Sequence, residues 1–460
     1  MRIVVCIKPS KNGDPGPFDA AAYEAALRVD GAEVILLSMA PAGSADMLLR
    51  LTRLGASEAY LLADKAFAGA DTLATGYALG LALEKLKPDM VFCGRQTMEG
   101  DTAQVGVGIA TRMGYSLATR VMEIVNADAG QITCKSRSGD EATLGYPALL
   151  TLEKIHDLRL PSIRSRVGRV ITLTAADLGA DISRCGLAGS PTRVVSTFEN
   201  NTGKRKCKMI SPSELLTVVS DELERERFAD MPTEGSATPL KNVWVYGESA
   251  MDMALTVSDD VRLCQMESPE LIAQKIRDGK PTAVLWDSSD EGKRISAAVA
   301  VLLETGLCAD CTRLESDGER LYMYRPAFGG NIIAKIVCNT SPAMATVRTK
   351  SESAELIFGL GVGAAEYAEN LRTLAGTHGA EIAASRGAVD MGLSPYPTQV
   401  GLTGKTVAPK VYVAFGISGA VHHLAGIYGA GTVIAVNSDK NAPIFEYADY
   451  GIIADIKDII

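Results

Sequence analysis

The sequence predicts an α/β protein made of doubly wound parallel-sheet domains. Two of these are related by an internal repeat, and a further domain follows at the C-terminal end. Three observations carry this prediction. Short, wholly apolar runs alternate with helix-length segments, as in strands buried on both faces of a parallel sheet. Hydrophobic residues make up 47% of the chain but aromatics only 5%, which suits layered packing of small aliphatic side chains. One strand–helix unit occurs twice.

In chain order, residues 3–7, 33–38, 59–62 and 90–93 read as buried strands. Residues 20–29, 44–54, 71–86 and 102–113 have helix length and pattern, and Asp101 or Thr102 is placed to cap the last of them. A strand follows at residues 148–152 and a charged helix at 213–228. The stretch 230–239, rich in Pro, Gly, Ser and Thr, reads as a linker. A new strand begins at residue 242, and strands at 410–415 and 432–436 belong to the last domain. The repeat aligns Lys87-Pro88, Gly100 and Gly114 with Lys280-Pro281, Gly292 and Gly306. Pro147 and the strand after it align with Pro342 and its own. Two such copies predict similar domains facing each other across an approximate twofold axis.

Composition narrows the function. With 46 basic and 55 acidic residues the formal charge is −9, which argues against nucleic acid as a partner. Apolar runs stay shorter than a membrane span requires. The chain opens directly on a strand, so no leader peptide is expected, and nine scattered cysteines suit reduced thiols in a cytoplasm. Cys308 and Cys311 have redox-pair spacing but no second pair, and read as core thiols.

The chemistry concentrates in turns at strand ends. Near the C-terminal end come Ser385-Arg386, then Gln399-Val400-Gly401-Leu402-Thr403-Gly404. Ser418-Gly419-Ala420-Val421-His422-His423 and Asn437 follow. In an open parallel sheet, ligands lie outside the carboxyl ends of the strands. There glycines admit a phosphate close to the backbone, and hydroxyls and amides donate to it. Arg386 adds a planar cation, and two of the four histidines fall in one turn. Earlier in the chain, Gly94-Arg95-Gln96 leads through Gly100-Asp101-Thr102-Ala103-Gln104-Val105 from a strand into a helix, aiming free N–H groups at an anion. Asp71 and Thr72 either hydrogen-bond a ligand or cap the helix that follows.

Residues 384–455, including Ala442-Pro443-Ile444-Phe445, closely resemble the flavin-binding domain of the alpha subunit of electron transfer flavoproteins. The resemblance implies extended FAD held by Ser385, Val400, Thr403, Ser418, Gly419, His423, Asn437 and Asp455, with Arg386 and His423 beside the isoalloxazine ring. Residues 1–228 resemble the beta subunit, whose nucleotide loop matches Gly94 to Val105. Single-flavin members hold AMP there. The wording of residues 66–72 and 94–104 is more like members that hold a second FAD and bifurcate electrons from NADH. That likeness implies contacts from Cys6, Phe18, Asp71, Thr72 and Thr75 as well, although Gly16 stands where those members carry Asn. Residues 241–350 resemble a shortened alpha-subunit N-terminal domain, and 351–460 the FAD-binding domain. The chain thus reads as a beta–alpha fusion joined at 229–240. Leu360 stands where the alpha subunit has Arg, and the opening strand–helix repeats of the middle domain are expected to be missing after residue 246. The basic loop 156–169 matches the family's docking loop for an acyl-CoA dehydrogenase, with Ile163 as its apolar anchor.

Overall fold

A computed structural model describes residues 1–97, 100–128, 130–137, 139–199, 205–225, 238–327, 332–348, 354–401 and 404–460. Contacts divide the chain into two compact units, one of residues 1–197, 235–325 and 334–349, the other of 198–234, 326–333 and 350–460.

The first unit opens with β1 (Arg2–Cys6), α1 (Pro17–Leu27), β2 (Glu33–Met39), α2 (Ala45–Thr52), β3 (Glu58–Leu62), α3 (Thr72–Leu86), β4 (Met90–Gly94) and α4 (Val105–Met113). Then come β5 (Ser116–Ala127), β6 (Gln131–Ser136), β7 (Glu141–Gly145), β8 (Ala148–Leu152) and β9 (Arg169–Leu173). They form one sheet in the order β7-β6-β5-β8-β4-β1-β2-β3-β9. The pairs from β5 across to β9 are parallel, and β6 and β7 extend the sheet as an antiparallel hairpin. Strand order reverses at β1, whose neighbours are β2 on one side and β4 on the other, so the crevice between β1 and β4 is the switch point.

The expected elements are present, with one correction that matters for the site. The helix expected from residue 102 begins at Val105, and its N-cap is Gln104, with no side-chain cap. Neither Asp101 nor Thr102 caps it, because Asp101 (φ 50°) and Ala103 (φ 56°) are left-handed and keep the chain out of helix for those residues.

The second copy of the repeat contains β12 (Val243–Tyr246), α6 (Met251–Leu255), β13 (Val261–Cys264), α7 (Pro269–Gly279), β14 (Ala283–Asp287), α8 (Asp290–Leu303), β15 (Leu307–Cys311) and β19 (Ala343–Val347). Its sheet, β13-β12-β14-β19-β15, reproduces β2-β1-β4-β8-β5. The likeness extends to details that composition cannot produce. Lys87 and Lys280 both end their helices left-handed. The left-handed Arg120 and Asp310 each sit in a register break, and each donates its amide to a threonine hydroxyl, Thr151 (3.0 Å) and Thr346 (2.8 Å). The equivalent helices α4 and α8 pack on each other, with Val301 against Gly108. The middle domain is less trimmed than expected, because α6, β13 and α7 follow β12. Relative to the first copy it lacks one strand–helix unit and the edge strand. A small sheet of β10 (Thr192–Glu199), β16 (Arg313–Ser316), β17 (Leu321–Ala327) and β18 (Ile332–Cys338) completes the strands described before residue 349. Cys308 and Cys311 are buried core thiols on β15.

The second unit is built on β20 (Leu356–Leu360), α9 (Ala368–Thr377), β21 (Glu381–Ala384), α10 (Arg386–Asp390), β22 (Val411–Phe415), α11 (Val421–Ile427), β23 (Thr432–Asn437) and β24 (Tyr450–Ile453). The arm before residue 226 adds β11 (Lys208–Met209) and α5 (Leu215–Glu224), and the parallel sheet runs β11-β24-β23-β22-β20-β21. The arm is held by a buried carboxylate: Glu222 accepts from the Thr432 hydroxyl at 2.8 Å and from Tyr450 at 3.0 Å. The greater part of the linker lies outside the described residues.

Candidate functional site

In the second unit the predicted turns sit together at the carboxyl edge of the sheet. Strand order reverses between β20 and β22, which places the turns after these strands, at Gly361 and Gly416, at the switch point. Ser385 follows β21 and caps α10, its hydroxyl accepting from the Ala388 amide at 3.3 Å. The Val400 amide donates to the Ala384 carbonyl at 2.9 Å, so the Gln399–Val400 stretch pairs in parallel beside the end of β21, with both residues buried. Two glycines lock the loops to each other. At Gly401 (φ 138°) a Cβ would lie 2.7 Å from the His422 carbonyl oxygen. At Gly419 (φ 91°) it would collide with the backbone at Ile444, whose amide donates to the Ser418 carbonyl at 3.0 Å. Asn437 clamps the same turn, its amide donating to Ile417 O at 3.0 Å. Glycine use here therefore reflects loop-on-loop packing. Leu402 and Thr403 lie outside the described residues.

Arg386 is about half exposed and pairs with Asp390 at 3.3 Å. His422 is exposed, whereas His423 is buried. Burial pushes the His423 pKa down to about 4, against the opposing pull of the Val400 carbonyl, so the ring is neutral near pH 7. Its Nε2 lies 3.1 Å from the Tyr412 hydroxyl, and its Nδ1 is buried without a hydrogen-bond partner among the described residues. Asp455 follows β24 and caps the last turn. The amide of Lys457 holds its carboxyl below the usual range. Leu360, at the end of β20, is fully buried in the apolar core with Phe358 and Phe415.

These residues fit FAD on the structure's own terms. Ser385, Gly401, Ser418, Gly419 and Asn437 lie together at the strand ends, and the buried Nδ1 of His423 there has no hydrogen-bond partner among the described residues. Sequence reading missed Tyr412. The signal was available, since a tyrosine inside a wholly buried strand must find a partner for its hydroxyl.

In the first unit the loop from Gly94 to Val105 lies at the β1/β4 switch point. The buried Asp19 joins the edges of the crevice, accepting from the Lys8 amide at 2.8 Å and lying against Gly94. The Arg95 guanidinium stacks 4.8 Å from the Phe18 ring centre and lies 3.5 Å from Glu153, while its Nε is buried without a described partner. Cys6 and Cys93 are paired in register, and contact with Cys6 together with burial pushes the Cys93 thiol up. Asp71 caps α3 through Leu73 and Ala74, and its second oxygen accepts from Thr192. Thr72 donates to the Gln104 side chain at 2.9 Å, which reaches the Leu307 carbonyl at 3.4 Å. Thr75 belongs to the first turn of α3, its amide bonded to Asp71 O at 2.9 Å; Gln96, Gly100, Thr102 and Ala103 belong to the described part of the loop, and residues 98 and 99 lie outside the described residues.

The other repeat supplies cations here. Arg325, also buried, donates to the Asp101 carbonyl at 3.1 Å. Burial and then the Asp310 charge push the Asp101 carboxyl up, while Arg325, Arg348 and Arg95 pull it back. Burial would likewise raise Asp310, yet Lys293, Arg348 and Arg325 hold it far below the usual carboxylate range. Cations around the opening turn of α4, whose first N–H groups have no intrahelical acceptor, suit an anionic ligand.

In the basic loop, Ile163 and Leu160 are almost fully exposed, and the loop base is tied down by Arg159 to the buried Glu24 at 2.9 and 3.0 Å. No helix among the described residues is long and apolar enough to cross a membrane, and no His, Cys, Asp or Glu cluster among them could hold a metal.

The electron transfer flavoprotein domain profile matches residues 3–177 and 247–377, and that of the electron transfer flavoprotein FAD-binding domain matches 351–428. Protein FixA of Azorhizobium caulinodans is 39% identical over 270 residues, covering 50% of this chain and 95% of FixA. The electron transfer flavoprotein subunit alpha of Thermoanaerobacterium thermosaccharolyticum is 35% identical over 236 residues, 41% of this chain and 72% of that subunit. Protein FixB of Rhizobium meliloti is 32% identical over 273 residues, 48% of this chain and 76% of FixB.

Proposed function

This chain belongs to the electron transfer flavoprotein family, and from that premise we propose that it is a single-chain carrier in which beta-like and alpha-like halves are fused. Support for the fusion comes from the structural repeat and from FixA and FixB, two different proteins that each match about half of the chain. The halves are residues 1–228 and 241–460, joined at 229–240, with the FAD-binding domain from 351. Fusion keeps one half at high effective concentration for the other.

The observation that carries the cofactor assignment is the set of interlocked turns on the carboxyl edge, within the segment matched by the FAD-binding domain. FAD supplies the one- and two-electron chemistry when bound. Ser385, Val400, Ser418, Gly419, Asn437 and Asp455 hold it in extended form, with Thr403, outside the described residues, as a further contact. Arg386 contributes charge beside the ring, and His423 a neutral hydrogen-bond donor.

A second nucleotide lies along the loop from Gly94 to Val105, with its phosphate on the opening turn of α4. We assign it as FAD, with NADH as electron donor and bifurcation between two acceptors. The AMP reading is favoured by one feature: Asp71 is already engaged in capping α3 and holding Thr192. The partner is an acyl-CoA-dehydrogenase-like flavoenzyme that docks on Ile163, and the setting is the cytoplasm. Acid release and quantification of nucleotide per chain tests the reading. Two FAD are expected, one FAD with one AMP selects the AMP version, and no flavin overturns the assignment.

A further inference from the structure

β22 reads Val411-Tyr412-Val413-Ala414-Phe415, and each of these residues is buried. A hydroxyl in such a strand must be satisfied inside the protein. Gly359, on the adjacent strand β20, leaves room for it, since a Cβ at that position would collide with the Tyr412 hydroxyl. The partner of the hydroxyl is His423 Nε2 at 3.1 Å, with ring centres 6.0 Å apart and planes tilted by 52°. Burial raises the Tyr412 pKa, so the phenol keeps its proton, and since His423 Nε2 is its only hydrogen-bond partner among the described residues, the hydroxyl is satisfied by donating there. Nε2 must then accept, which leaves the imidazole proton on Nδ1. That nitrogen is buried and has no hydrogen-bond partner among the described residues. The Val400 carbonyl is a weak acceptor for the ring that raises its pKa, too long or bent to count as a full hydrogen bond to Nδ1.

We propose that Tyr412 is a positioning residue that holds His423 in the Nδ1–H tautomer, aiming a neutral donor into the flavin site. This rests on the preceding reading that His423 lies beside bound FAD. The acceptor that fits is a carbonyl oxygen of the kind carried by the pyrimidine edge of a flavin. A neutral donor strengthens its bond as negative charge builds on such an oxygen, without bringing a buried full charge into the oxidised state. His423 thereby acts differently from Arg386, which brings a permanent charge.

The test uses the full chain with ring-15N histidine, read by NMR without and with FAD, the His423 signals being assigned by their loss in His423→Gln. The parent should show the Nδ1–H pattern at pH 7. Tyr412→Phe keeps the ring volume and removes only the donor. It should move the pattern toward the Nε2–H form, weaken FAD binding roughly three- to ten-fold, and lower the midpoint potential of the bound flavin. An unchanged His423 tautomer in Tyr412→Phe overturns the positioning role. A changed tautomer with FAD affinity and potential at the parent values overturns the aim into the site, and with it the placement of His423 beside FAD.

Discussion

Replacing Gly401 by Ala tests whether the interlocked loops form the FAD site. At φ 138° the backbone there is one that side chains rarely adopt, and the added Cβ would stand 2.7 Å from the His422 carbonyl oxygen. Backbone strain of this kind costs on the order of 1–3 kcal/mol. The contact adds to it, because the neighbouring atom is backbone and cannot swing aside. If the loops separate to relieve both, a loss of about 2–3 kcal/mol falls on FAD binding, or roughly 30- to 150-fold in Kd. Gly392→Ala is the control. Its φ is 75°, but a Cβ there meets nothing within 4 Å, so it carries backbone strain without separating the loops. Fluorescence titration of apo protein with FAD measures both Kd values, and thermal melts report the cost to the fold. Parent-like FAD affinity in Gly401→Ala would refute the reasoning.

Further outcomes follow from other residues. Arg386→Ala should leave the melting temperature within a degree or two, because its pair with Asp390 is surface-exposed, yet weaken FAD retention and lower the flavin potential on reductive titration. Ile163→Ala should keep all bound nucleotide and slow electron transfer to a cognate dehydrogenase by roughly 30-fold, an anchor being worth on the order of 2 kcal/mol; transfer at the parent rate would make the loop a mere connector. Asp101→Ala should release the amino-terminal nucleotide and leave the C-terminal flavin bound, as counted after acid release. The pH dependence has a defined sign. The His423 pKa is about 4 when folded against 6.5 as the reference, so the unfolded chain binds the extra proton first and stability falls as pH drops from 6.5 toward 4. Between pH 6.5 and 5 the loss in apo protein should be about 1.5 kcal/mol, and His423→Gln should flatten that part of the profile.

Much of this could be read from the chain, for physical reasons. Parallel strands buried on both faces are continuous apolar runs, so β1 to β4, β8, β22 and β23 stand out with their ends nearly in place. Turns at their carboxyl ends inherit a location from the fold class alone. The repeat survives in sequence because Lys87 and Lys280 end equivalent helices and Pro147 and Pro342 precede equivalent strands. What escaped depends on backbone shape and distance. Ala103 gives no sign of a left-handed backbone and Asp101 only a weak one, so residue types alone place the start of α4 too early. Only tertiary packing brings Arg325 to the Asp101 carbonyl or Tyr412 to His423. The arm before residue 226 packs with the second unit through Glu222, whose partners Thr432 and Tyr450 lie about two hundred residues away.

What the purified chain carries separates these assignments most directly. Acid release followed by quantification of nucleotide per chain, in the parent and in Asp101→Ala, should give two FAD and one FAD respectively. One FAD with one AMP in the parent would contradict the two-flavin assignment, and no flavin in either protein would contradict the central claim that the carboxyl edge of the second unit is an FAD site.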